Sequence, residues 1–156
     1  IEANVESAPH ITVATVIERD QRFLLVEEQI GNGPGLVLNQ PAGHWEPGET
    51  LVEGAIRETL EETAWRCRID ALIGIYEYHP VSLPYSFIRF AYAATALEDT
   101  GAALDTGIER AVWLELDEIR AQAARHRSPM VLQCIEDYRA GHRIGLDRVQ
   151  HLPPGP

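Results

Sequence analysis

The sequence predicts an α/β protein, a mixed sheet sandwiched between helices, from three observations. Short β-branched runs with a two-residue period recur along the chain, segments with helical spacing separate them, and neither a repeat nor a linker breaks the series. One domain, residues 10–150, is therefore expected in a chain of 156 residues. Hydrophobic residues make up 45% and charged residues 24%, which is globular composition and argues against disorder. Residues 1–9 read as an unstructured lead and 151–156 as a flexible tail.

The elements follow in order. HITVATVIE (10–18) alternates and is β-branched, FLLVEE (23–28) makes a second strand, and Asp20-Gln21 turns the chain between them. A glycine-rich loop covers 30–35, and 36–40 runs extended into Pro41. Gly43 and Gly48 bracket a turn leading to a helix at 51–63, where Thr50 followed by Glu53 is a capping-box signature. Leu51, Ala55 and Leu60 are expected to face the sheet, with the carboxylates of that helix on another face. ALIGIYEY (71–78) and SFIRFAYAATAL (86–97) read as strands around the proline-bounded loop 79–84, and 98–107 is polar and turn-rich. ERAVWLEL (109–116) is a late strand, followed by a helix at 117–125. Ser128-Pro129 opens a last helix that Gly141 stops.

Charge and cysteine usage narrow the function. A net charge of −11 repels nucleic-acid polymers and anionic membranes, so small phosphorylated metabolites or nucleotides remain as anionic partners, provided metal ions and a few cations receive them. No apolar run reaches membrane-spanning length and no signal segment opens the chain, so the cytoplasm is the expected compartment. Cys67, at the start of a strand, and Cys134, in a helix, form no CxxC and read as structural thiols, and His10 and His79 lack the spacing of a zinc site. A monomer or a homodimer is expected.

The chemistry concentrates in GHWEPGETLVEGAIRETLEETAW. At 100° per residue, Glu58, Glu61 and Glu62 fall within an arc of about 100°. Like charges so crowded weaken an isolated helix, and a divalent cation relieves them. Hard oxygen donors on a rigid element suit Mg²⁺, with Mn²⁺ as a substitute, and such ions also hold substrate phosphates. Arg57 is placed to hold a carboxylate by forked hydrogen bonds, and Glu49 to share that role.

With Gly43, Glu49, Arg57, Glu58, Glu61 and Glu62 at the required spacing, the stretch resembles the Nudix box. Six such matches arise by chance with a probability on the order of one in 100,000. Thr59, Ala64 and Trp65 depart from its pattern, standing where an aliphatic residue, Gly and another aliphatic are usual. The resemblance implies the Nudix α/β/α sandwich, a metal ligand in the Gly43 carbonyl, and hydrolysis of phosphoanhydrides. HITVA, VEE, NQPAGH, ETLVE, RSP and YRAGHR extend the likeness, from His10 to Arg143, to a phosphatase branch of the family. That branch implies removal of terminal phosphate from nucleoside tri- and diphosphates. It also implies hydrolysis of hydroxymethylpyrimidine pyrophosphate, a thiamin precursor. Cleavage of nucleoside diphosphates linked to another moiety, such as ADP-ribose, and a catalytically silent nucleotide sensor stand as alternatives.

Several roles stay open at this level. Glu61 or Glu62 could be the general base, but some members of the family use a carboxylate outside the box, and Glu109 occupies a suitable place. Trp45 either stacks on a base or packs over its turn. Tyr76, Tyr78, His79 and Tyr85 build either a core or a nucleobase platform. Arg89 meets either a phosphate or an acidic neighbour, and Glu27 and Glu28 are either surface residues or neighbours of the site.

Overall fold

The computed structural model describes residues 5–33 and 35–156, so most of the expected lead and Pro34 of the glycine-rich loop lie outside the described residues. Strand β1 (His10–Arg19) organises the molecule. Its alternation turns Val13 and Ile17 to one face and Val16 to the other, and a separate apolar core grows on each. β1 pairs in parallel with β6 (Phe87–Asp99), which pairs antiparallel with β5 (Trp65–Tyr78). Its far end pairs antiparallel with β2 (Arg22–Glu28) across the Asp20-Gln21 turn, both of whose residues have positive φ. β2 carries β3 (Val37–Asn39) and β7 (Ile108–Glu115) on its two edges, and β4 (Ala42–His44) pairs with β1.

Helices cover both faces. Helix α1 (Leu51–Thr63) seats Ala55 among Val13, Ile17, Leu24, Ile69 and Leu72. On the other face α2 (Leu116–Ala121) and α3 (Met130–Arg139) contribute Ile119, Met130, Cys134 and Ile135 to a core with Val16, Phe23 and Leu38. The architecture is the α/β/α sandwich with a mixed sheet.

Four local expectations change. β5 starts at Trp65, directly after α1, because Trp65, Cys67 and Ile69 turn inward while Arg66, Arg68 and Asp70 stay exposed. The strand expected to start at Cys67 and the apolar run 71–78 are one strand of 14 residues, a continuity those outward charges hid. β4 occupies the start of the expected turn, held by three pairings to β1. The helix expected at 117–125 stops at Ala121 and gives way to a 3₁₀ turn at Ala123–Arg125. Another 3₁₀ turn, Val5–Ser7, lies within the expected lead.

Helix α1 departs from its expected faces in a way that matters for the site. Thr59, not Leu60, is fully buried against the sheet, and Glu62 is buried too. The Thr59 hydroxyl donates to the Ala55 carbonyl at 2.8 Å and accepts from the Thr15 hydroxyl at 2.8 Å. A threonine at this usually aliphatic position therefore has a partner on β1. Thr50 caps the helix by accepting the Glu53 N–H at 3.0 Å. Ala64 ends it in the left-handed region, φ 64°, where glycine would be unstrained.

Thr59→Val should strand the Thr15 hydroxyl and lower unfolding stability by about 1–3 kcal/mol. The Thr15→Val/Thr59→Val double variant should recover most of that loss. Denaturant unfolding of the three variants measures the coupling, and equal losses in the single and double variants would refute it.

Candidate active site

The carboxylates of α1 meet the open edge of β4. Pro41 accepts the Thr15 N–H and Trp45 donates to the Ile11 carbonyl, so by the alternation of an antiparallel ladder residues 41, 43 and 45 turn their backbone groups toward β1. Ala42 and His44 turn theirs the other way, toward α1. Ala42 N–H donates to Glu62 Oε1 at 2.9 Å, and the His44 carbonyl accepts from Arg57 at 3.0 Å. This corrects the role expected of the Gly43 carbonyl, which faces β1; on the carboxylate side the available carbonyl is that of Ala42. What Gly43 supplies is a missing side chain, since a Cβ there would overlap the Glu58 carboxyl group.

Arg57 holds the group together. Its Nε and Nη2 form a fork on the two Glu49 oxygens at 3.0 and 2.8 Å, while Nη1 reaches Glu58 at 2.8 Å and Glu61 at 3.3 Å. Arg57 draws the Glu49 carboxyl below its ordinary range, and those carboxylates in turn raise the guanidinium. Burial pushes the Glu58 carboxyl up against the pull of Arg57. Glu62 goes further: burial, with added repulsion from Glu28, Glu58 and Asp105, raises it to about 8.

Among the described residues no three His, Cys, Asp or Glu side chains converge as they stand on a single ion position. The donors nevertheless fit a hard divalent cation. They are oxygens, their like charges are uncompensated at Glu62, and Gly43 leaves the Glu58 carboxyl the space it occupies beside β4. Glu58, Glu61, Glu62 and the Ala42 carbonyl are the groups that would hold it.

The remaining expected residues fall into three sets. Glu109 is exposed and is the unpaired residue of a bulge in β7, opposite Glu27 and Glu28; bulges commonly re-aim a side chain beside active sites. Trp45 packs over the turn by donating Nε1–H to the Glu49 carbonyl at 2.8 Å, with 41% of the residue exposed. Tyr85 stacks on His10 at 3.7 Å, and His10 Nδ1 lies 2.9 Å from His44 Nε2, which brings Tyr85 to the residue after Gly43. Tyr78 packs against the α2–α3 core, as does Tyr76, which donates to Asp137. Arg89 corrects both of its expected readings. It is buried, and its guanidinium donates to Gln40 at 2.8 Å and Asn39 at 3.1 Å, so it braces the segment before β4.

Asp105 was not anticipated. Its backbone N–H donates to the Glu61 carbonyl at 2.9 Å, and its charge acts on both Glu58 and Glu62. No spacing rule singles it out from the polar 98–107 segment; only the docking of that segment on the end of α1 does.

The NUDIX domain family model matches residues 8–134. Phosphatase NudJ of Escherichia coli (strain K12) is 40% identical over 144 residues, covering 90% of each chain. The solved structure of a NUDIX hydrolase from Nitrosomonas europaea is 48% identical with a TM-score of 0.88, covering 92% of this chain and 97% of its own. An ADP-ribose pyrophosphatase from Streptococcus suis shares the fold at 16% identity and a TM-score of 0.67, over 88% of this chain and 97% of its own.

Glu62 gives the metal-free protein a pH dependence. Its carboxyl is protonated in the fold up to about 8 but ionises near 4.5 when unfolded, so its favourable contribution is complete below the lower value and disappears as pH rises through the upper one. Thermal unfolding without metal should therefore show stability falling between about pH 5 and pH 8. Glu62→Gln should flatten that slope and stabilise the protein at the alkaline end, and an unchanged slope would contradict the burial of Glu62.

Proposed function

The chain belongs to the NUDIX family, and from that premise we propose Mg²⁺-dependent hydrolysis of nucleoside tri- and diphosphates and of small pyrophosphorylated metabolites such as hydroxymethylpyrimidine pyrophosphate, by attack of water on phosphorus. At the coarser level it is a hydrolase of phosphorus-containing anhydrides, as its likeness to phosphatase NudJ supports. Small phosphorylated compounds are its substrates, and no helix of the described residues is long and apolar enough to cross a membrane. The cytoplasm, which two buried free thiols suit, and action as a monomer or homodimer complete the proposal.

The observation that carries the finer reading is the Arg57 hub with Glu58, Glu61 and Glu62 at the β4 edge. Bound there, divalent ions neutralise phosphoryl oxygens and make water a better nucleophile. Arg57 orients Glu58 and Glu61, and Ala42 N–H fixes one oxygen of Glu62. Either Glu61, Glu62 or Glu109 takes the proton of the attacking water. Among them Glu109 lies in a bulge, without a partner in the ladder. Tyr85 and Trp45 are the rings placed to meet a heterocycle. A nucleotide sensor without turnover would have no need for the whole set of carboxylates and Arg57, which argues for catalysis.

A phosphate-release assay with Mg²⁺ over a panel of nucleoside tri- and diphosphates, ADP-ribose and hydroxymethylpyrimidine pyrophosphate should show turnover, strongest on the unlinked phosphates. Preference for ADP-ribose selects the other class of hydrolase, and binding without any product selects the sensor. Glu61→Gln and Glu62→Gln should each lower kcat by at least about 100-fold in a folded protein with weaker Mg²⁺ binding. Glu109→Gln distinguishes the base: a comparable drop in kcat with Mg²⁺ affinity retained assigns it, and a change under twofold on the order of assay error removes it.

A further inference from the structure

An anhydride substrate brings several negative charges to a protein of net charge −11, at a place already crowded by Glu28, Glu58, Glu62 and Asp105. Divalent ions offset part of that charge. The rest calls for a cation with hydrogen-bond donors to spare, and arginine supplies all 13 of the chain's basic residues. Arg57 has little to spare, since Glu49, Glu58, Glu61 and the His44 carbonyl occupy its fork. Arg89 is buried under Asn39 and Gln40. Arg125 is engaged by Glu27, Gln122 and the Leu36 carbonyl, and Arg110 by Glu27.

Arg110 and Arg127 each make one guanidinium hydrogen bond, but only Arg127 is held by Glu28, whose charge acts on Glu62. Among the described residues the Arg127 guanidinium makes a single hydrogen bond, Nη1 to Glu28 Oε1 at 3.1 Å, and its side chain is 42% exposed. Its backbone is nonetheless fixed. The Arg127 N–H donates to the Leu38 carbonyl on β3 at 2.8 Å, and the Ser128 hydroxyl accepts the Met130 N–H at the start of α3. Glu28 in turn lies beside Asn39, whose side-chain amide approaches the same oxygen at 3.4 Å, three residues before the Ala42 that binds Glu62. The RSP stretch thus sets a rigidly based, mostly unspent guanidinium at the rim of the carboxylate group.

We propose that Arg127 is a substrate-binding residue of this site, its planar fork taking two non-bridging oxygens of a substrate phosphate while Glu28 positions it. The inference rests on the hydrolase reading above. A fork of this kind matches phosphate in a way a lysine point charge does not.

Steady-state kinetics with Mg²⁺ and a nucleoside triphosphate test it on Arg127→Gln, Arg127→Lys and Glu28→Gln. Arg127→Gln should raise KM by about 10- to 100-fold with a smaller change in kcat. Arg127→Lys should recover part of that loss, and Glu28→Gln should cost less than Arg127→Gln. Calorimetric binding of Mg²⁺ without nucleotide should be unaffected by Arg127→Gln. In a Glu61→Gln background, where turnover is blocked, binding of inorganic triphosphate with Mg²⁺ should weaken by the same factor when Arg127→Gln is added. Equal KM changes in Arg127→Gln and Glu28→Gln, matched by equal falls in melting temperature, would reduce the pair to a brace for its loop. A KM within about twofold of the parent would also overturn the proposal. An inactive parent enzyme would refute the hydrolase reading alone, because the binding arm still decides Arg127.

Discussion

One guanidinium makes the acidic face of α1 possible. Glu58, Glu61 and Glu62 occupy one side of a helix, where like charges at three- and four-residue spacing destabilise it. Arg57 answers that repulsion by binding Glu58 and Glu61 within the helix and Glu49 and the His44 carbonyl outside it. The same contacts tie the helix to β4 and to the turn between them. Loss of Arg57 would therefore release charge repulsion and free the loop at once, so stability and the proposed chemistry are joined in a single side chain.

Glu62 shows the opposite balance. Its burial against the Ala42 N–H costs the metal-free fold stability at neutral and alkaline pH, which a site built for packing alone would avoid. A divalent ion would turn that cost into affinity, because the ionised carboxylate then has a partner. The surroundings are built to hold the strain. Thr59 bonds Thr15 on β1, Arg89 braces Asn39 and Gln40, and Gly43 clears space for Glu58. Each of these fixes the helix or the β4 edge on which the carboxylates act.

The acidic surface and the anionic substrate are reconciled by where the cations stand. Most arginines are spent on carboxylates: Glu27 alone engages Arg110 and Arg125, and that pairing draws its carboxyl below the ordinary range. Repulsion at long range then disfavours polymers with many phosphates, while a small phosphate ester meets only the local field of the site.

The sequence by itself determined the sandwich and the group of six residues from Gly43 to Glu62, because periodicity and spacing are local properties. It also located α1, at about 51–63, and the Asp20-Gln21 turn. A strand start at Cys67 was legible, but outward-facing charges concealed its continuity with the run 71–78, and three residues were too few to announce β4. Only the tertiary structure decided that Gly43 contributes space while the Ala42 carbonyl faces the carboxylates, since ladder parity depends on the pairing with β1. It alone buried Arg89 and Glu62, brought Asp105 to the end of α1, and set Arg127 against Glu28, 99 residues away in the chain. Contacts at such separations leave no periodic trace in a sequence; they exist once strands from distant segments share a sheet.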